Sequence, residues 1–159
     1  MSPIRTILYP TDFSECSEYA FALACSLARD YNARLVVLHV MQLPPAIPGE
    51  AGLIVAESDE YRAYAKDQLL RYQPTDGVRL EHWLETGEAE TEIVRLARKL
   101  NADLIVMGTH GRTGLGRLLL GSVAEHVLRK APCPVLTVKN PIPTRAPAKA
   151  EAAHEPVGV

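Results

Sequence analysis

Apolar runs and apolar periodicity take turns along this chain, and their order predicts its elements. Arg5 to Tyr9 is a short apolar run closed by Pro10-Thr11-Asp12, which reads as a strand and a turn. Ser14 is a natural N-cap, and Glu15 and Glu18 complement the dipole of a helix expected to run to about Tyr31. Cys16, Ala20, Leu23, Ala24, Leu27 and Ala28 recur at helical spacing and give that helix a narrow face of small residues. Leu35 to Val40 predicts a second strand, buried on both faces because its apolar character is continuous. His39 within it reads as a hydrogen-bonded core histidine rather than a ligand.

From Gln42 to about Val55, three prolines and two glycines predict an irregular excursion. A helix is expected from about Glu57 to Tyr72, with Tyr61, Tyr64, Ala65, Gln68 and Leu69 on one face. Val78 to Leu84 alternates, as a strand near a sheet edge should, and His82 and Trp83 in it read as packing residues. Glu88 to Leu100 predicts an acid-started helix with Ile93, Leu96, Ala97 and Leu100 inward. Leu104 to Met107 is another doubly buried strand, Ser122 to Lys130 a helix stopped by Pro132, and Val135 to Val138 a last strand. Five strands alternating with helices give an α/β fold with a parallel sheet and right-handed crossovers. The prolines, alanines and mixed charges of residues 140–159 predict a disordered tail behind a domain at 1–139.

The chemistry concentrates after the Leu104–Met107 run. Gly108, Gly111, Gly114, Gly116 and Gly121 are five of the chain's ten glycines. Strand, glycine-rich loop and helix start is a phosphate-binding layout, because glycines admit an anion to the backbone and helix N–H groups point at it. No carboxylate lies between Asp103 and Glu125, while His110, Arg112 and Arg117 are present, so the local potential suits a polyanion. Gly116 and Gly121 have the spacing of a P-loop, but Ser122 stands where its lysine belongs, and no dinucleotide fingerprint is present. In such folds ligands sit at the carboxyl ends of strands, where Pro10-Thr11-Asp12, Val40-Met41 and Gly108 can converge. Asp12 then has three readings: acceptor for ribose or base, ligand of a bridging Mg²⁺, or residue of a helix-capping turn.

Composition narrows the partners. The 159 residues are 47% hydrophobic and 23% charged with formal charge -2, which suits one globular domain and offers no basic field for nucleic acid. The apolar runs are too short for a membrane span, and the opening residues carry no signal-like segment, so a cytoplasmic location is expected. Cys16, Cys25 and Cys133 lack metal-ligand spacing and read as reduced, small apolar residues; Cys16 and Cys25, nine apart, should face opposite ways.

Gly108-x2-Gly111-x9-Gly121-Ser122, with Met-Gly-Thr-His-Gly-Arg around it, resembles the ATP-binding subgroup of the universal stress protein family. The likeness extends over Pro10 to Ser14, Leu38-His39-Val40, Asp103 to Gly108 and Cys133 to Leu136, covering about residues 2 to 139. It implies a five-stranded parallel sheet in the order 3-2-1-4-5 and a homodimer through the Val135–Val138 edge. It also implies that Thr11, Asp12 and Val40, beside Pro10, hold the adenosine half of ATP, ADP or AMP. Met107, Gly108, Gly111, Gly121, Ser122 and Val123 would then follow ribose and phosphates, often with Mg²⁺ or Mn²⁺. Ala89 departs from the proline common in relatives and is expected to lie away from the motif. A nucleotide-dependent regulator or sensor with an unidentified protein partner is the leading reading. A slow ATPase or phosphoryl-transfer enzyme, and an interaction module without nucleotide, are the alternatives.

Overall fold

The computed structural model describes residues 3–42, 51–74, 77–109 and 120–139, and of 51–58 the backbone alone. Five strands, β1 (Thr6–Pro10), β2 (Arg34–Met41), β3 (Arg79–Thr86), β4 (Leu104–Gly108) and β5 (Val135–Val138), form one sheet. Its order is β3-β2-β1-β4-β5, and every neighbouring pair is parallel. Four helices connect the strands: α1 (Glu15–Asp30), α2 (Ala51–Leu70), α3 (Ala89–Lys99) and α4 (Ser122–Lys130).

The continuous apolar runs occupy the three inner strands, buried on both faces. Leu8, Val36, Leu38, Ile105 and Met107 face α3 and α4, while Ile7, Tyr9, Leu35, Val37 and Val106 face α1 and α2. Each fully buried Leu or Ile stabilises by about 1.5–3 kcal/mol relative to exposure, so this double burial holds the layers together.

Local signals place the strand entries. The Ser14 side chain caps α1 by accepting from the Ser17 N–H. Asn32 and Asn101 adopt left-handed backbone at the ends of α1 and α3, where Ala33 and Ala102 N–H groups donate back to Ala28 and Ala97. This helix stop tolerates asparagine and delivers the chain directly into β2 and β4.

Several boundaries and faces differ from expectation. α2 begins at Ala51, inside the stretch read as irregular, because the helix-breaking residues end at Gly52 while apolar residues continue. β3 extends to Thr86 rather than ending at Leu84, because Glu85 and Thr86 complete the ladder beside Val40 and Met41. Leu23 is exposed and Cys25 buried, and Cys16 and Cys25 are both buried although half a turn apart. α1 lies across β1, β2, β4 and β5, so its buried arc is wider than a narrow stripe. Tyr64 is exposed, and the inner face of α2 runs through Ala65 and Leu69. His39 is buried and hydrogen-bonded, His82 Nε2 donates to the Tyr72 carbonyl, and Trp83 packs among the α3-side core residues. Burial raises the Cys133 thiol pKa, keeping it a thiol at the Pro132–Pro134 strand entry. Residues 43–50 of the excursion and the expected tail at 140–159 lie outside the described residues.

Candidate functional site

The carboxyl ends of β1, β2 and β4 open into one cavity of about 520 Å³, a volume suited to a small-molecule ligand. Strand order explains the place. β1 lies between β2 and β4, and the chain leaves toward opposite faces on either side of it, so a crevice opens above.

β1 contributes Pro10, and the turn after it Thr11 and Asp12. The Thr11 hydroxyl sits among the Ser17 hydroxyl at 3.0 Å, the Tyr72 hydroxyl at 2.8 Å and the Phe13 N–H at 3.0 Å. Asp12 accepts from the Ser14 N–H at 3.1 Å and the Ser14 hydroxyl at 2.6 Å. The capping-turn reading of Asp12 therefore holds, and the same carboxylate lines the cavity. Beneath the turn, the Tyr9 hydroxyl donates to the Ser17 carbonyl, its proton held by burial that pushes its pKa far up.

β2 contributes Leu38, His39 and Val40. His39 Nδ1 is 2.8 Å from the Thr11 carbonyl and Nε2 is 3.3 Å from the Tyr61 hydroxyl, which α2 brings to the cavity. Phe13 stacks on the imidazole at 4.2 Å and holds a left-handed backbone with φ 63°. A non-glycine residue there stores strain, and the stacked ring is one contact that holds it.

β4 contributes Met107 and Gly108, followed by Thr109. The Gly121 N–H donates to the Thr109 carbonyl at 2.9 Å, which ties the end of β4 to the start of α4. Gly121 caps α4 with no side chain, and Ser122, Val123 and Ala124 in its first turn line the cavity. Having no side chain, Gly121 itself leaves the first N–H groups of α4 unsatisfied.

Pro10, Thr11, Asp12, Val40, Met107, Gly108, Gly121, Ser122 and Val123 are thus brought together. His110, Gly111 and Arg112 lie outside the described residues. Ala89, expected to lie away from the motif, lines the cavity beside Ile93, because α3 starts over the same strand ends. Ser17, Tyr61 and Thr109 also line it, although the sequence reading took none of them as a site residue. Tyr61 carried only the signal of an aromatic on a helix face, and Thr109 that of a residue inside the glycine motif.

The comparisons agree with this fold. Residues 3–139 match the model of the Universal stress protein family. Universal stress protein MJ0531 of Methanocaldococcus jannaschii is 39% identical over 141 residues, which cover 86% of this chain and 83% of that protein. The universal stress protein UspA from Lactobacillus plantarum superposes with a TM-score of 0.80 at 27% identity, covering 87% of this chain and 99% of that one. A universal stress protein solved in complex with cAMP gives a TM-score of 0.57 at 30% identity, over 87% and 98% of the two chains. With the family model spanning every described element, the chain belongs to the universal stress protein family.

Proposed function

We propose that this protein binds an adenine nucleotide, ATP, ADP or AMP, in the cavity and acts as a nucleotide-dependent regulator or sensor in the stress response. The observation that carries the reading is a cavity of about 520 Å³ with an apolar wall, joined to a helix start whose N-cap glycine has no side chain. Val40, Ile93 and Met107 supply apolar wall, and the first turn of α4 supplies N–H donors for phosphate. A family relative in complex with cAMP supports the ligand class. His110, Gly111 and Arg112 complete the phosphate side in this reading.

Mg²⁺ or Mn²⁺ accompanies the phosphates in this reading. The described residues hold no group of three or more His, Cys, Asp or Glu that could bind a metal. Phosphate oxygens and water would supply most ligands, with Asp12 the one carboxylate lining the cavity among the described residues. Denaturing the purified protein and identifying what it releases tests the reading, with an adenine nucleotide expected. An empty extract together with no heat on ATP titration would overturn it.

Asp12 separates two arrangements. If it grips the nucleoside, Asp12→Asn weakens ATP, ADP and adenosine alike, by about tenfold for one charge-assisted hydrogen bond. We expect that result in calorimetry with and without Mg²⁺. A loss confined to ATP in the presence of Mg²⁺ would move Asp12 to the ion.

The reading includes a homodimer through β5. β5 ends the sheet, and Leu136 within it is exposed. Pro134 and Val138 carbonyls accept from β4, so by the two-residue period Val135 and Thr137 present their backbone groups to the open edge. A dimer is expected by light scattering, and Thr137→Pro, which removes an outward N–H, should give folded monomer. A monomeric wild type, or a dimer indifferent to the proline, would refute this.

A further inference from the structure

We infer that Tyr72, which does not line the cavity, is a positioning residue for the Asp12 carboxylate and acts through the Thr11 hydroxyl. The inference rests on the nucleotide reading above and names a residue outside the site on which that affinity depends.

The hydroxyls here form a chain with one direction. The Ser14 carbonyl is an acceptor without a hydrogen, so the Ser17 hydroxyl, 2.8 Å away, donates to it. A serine hydroxyl has one hydrogen, and Ser17 Oγ therefore accepts from Thr11 Oγ1 at 3.0 Å. Thr11 has then spent its own hydrogen, so in its 2.8 Å contact with the Tyr72 hydroxyl the tyrosine donates. The Phe13 N–H fills the second lone pair of Thr11 Oγ1 at 3.0 Å. One hydrogen given and two received complete a threonine hydroxyl. The buried Thr11 side chain thus serves its own turn and keeps no capacity for a ligand.

Asp12 lies between the two residues that this oxygen holds together. Thr11 is tied by its N–H to the Leu38 carbonyl at 2.8 Å, and Phe13 by its N–H to the Thr11 hydroxyl. Phe13 carries the strained backbone, φ 63°, and Ser14 after it donates twice to the Asp12 carboxylate. The direction in which that carboxylate enters the cavity follows from this turn. Tyr72 is itself held from two sides. Its ring stands edge-on to Phe21 at 4.7 Å and to Tyr9 at 5.7 Å, and its carbonyl accepts from His82 of β3 at 2.9 Å. The hydroxyl therefore reaches the turn preorganised. Without it, Thr11 Oγ1 is short of a hydrogen in a buried place, and the turn loses a tether beside its strained residue.

The test measures ATP, ADP and adenosine binding to the full chain by calorimetry, in a mutant cycle. Tyr72→Phe keeps the ring and removes the oxygen. It should weaken the same ligands that Asp12→Asn weakens, by about three- to tenfold. In the Asp12→Asn background the same change should cost less than about twofold, because the carboxylate through which it acts is gone. A residue of purely structural worth would lower the melting temperature and leave this pattern unmoved. Folded Tyr72→Phe with wild-type affinities overturns the inference, as does a loss undiminished in Asp12→Asn. Should Tyr72→Phe fail to fold, a pair at Thr11 decides. Thr11→Val should weaken ATP binding at least about threefold more than Thr11→Ser, which keeps the hydroxyl, and equal affinities in the pair overturn the inference. Wild type that binds none of the three ligands removes the nucleotide reading itself.

Discussion

Gly121→Val is expected to abolish measurable nucleotide binding while the domain stays folded. Gly121 has φ -62° and ψ 149°, an extended conformation that β-branched residues adopt freely. Its N–H bond to the Thr109 carbonyl involves no side chain and survives the change. What changes is the space at the mouth of α4, where an isopropyl group would stand between the first helical N–H groups and any phosphate. Circular dichroism and melting should match wild type, while ATP titration gives no heat. Ser122→Ala is the graded control. Losing one hydrogen bond to a charged group removes about 1.5–3 kcal/mol, so affinity should fall roughly ten- to a hundredfold. Unchanged ATP affinity in folded Gly121→Val would sink the nucleotide reading and favour an interaction module.

The sheet was legible where apolar runs were uninterrupted and stop signals sharp. Leu35 to Val40 and Leu104 to Met107 could only be doubly buried strands, and they lie inside β2 and β4. α4 is found at Ser122–Lys130, as its flanking Gly121 and Pro132 demand. α2 was harder, because the prolines before it masked its first turn and its pattern carries little amphipathic contrast. β3 was cut short because Glu85 and Thr86 are polar, yet their place is set by pairing with β2. Sequence position alone brought Thr11, Val40 and Gly108 to one crevice, since residues after parallel strands share an edge. Tyr61 belongs to that crevice through the packing of a distant helix, and no local spacing announces such a contact. His39 showed the complementary difficulty. It is a satisfied core histidine, as read, and lines the cavity as well.

Gly108→Ala should lower the melting temperature by several degrees, for a reason the glycine motif does not contain. Gly108 lies outside the left-handed region, so its need is for space rather than conformational freedom. A Cβ added there would meet Cys16 Sγ at 3.0 Å and the Cys16 backbone carbon and oxygen at 3.3 Å. β4 ends directly against the first turn of α1, and that turn follows the capped loop carrying Asp12. Overpacking of this kind costs about 1–3 kcal/mol, which at about 2–4 °C per kcal/mol predicts a loss of roughly 2–12 °C. Cys16→Ala removes the sulfur and leaves the backbone contacts. In that background Gly108→Ala should therefore cost less, though still something, and the difference measures the coupling. Thermal melts of the four proteins decide the matter. Equal losses in both backgrounds would put the clash on the Cys16 backbone rather than its sulfur, and no loss in either would free Gly108 from its packing role, leaving close approach by a ligand as the reason for a glycine at the end of β4.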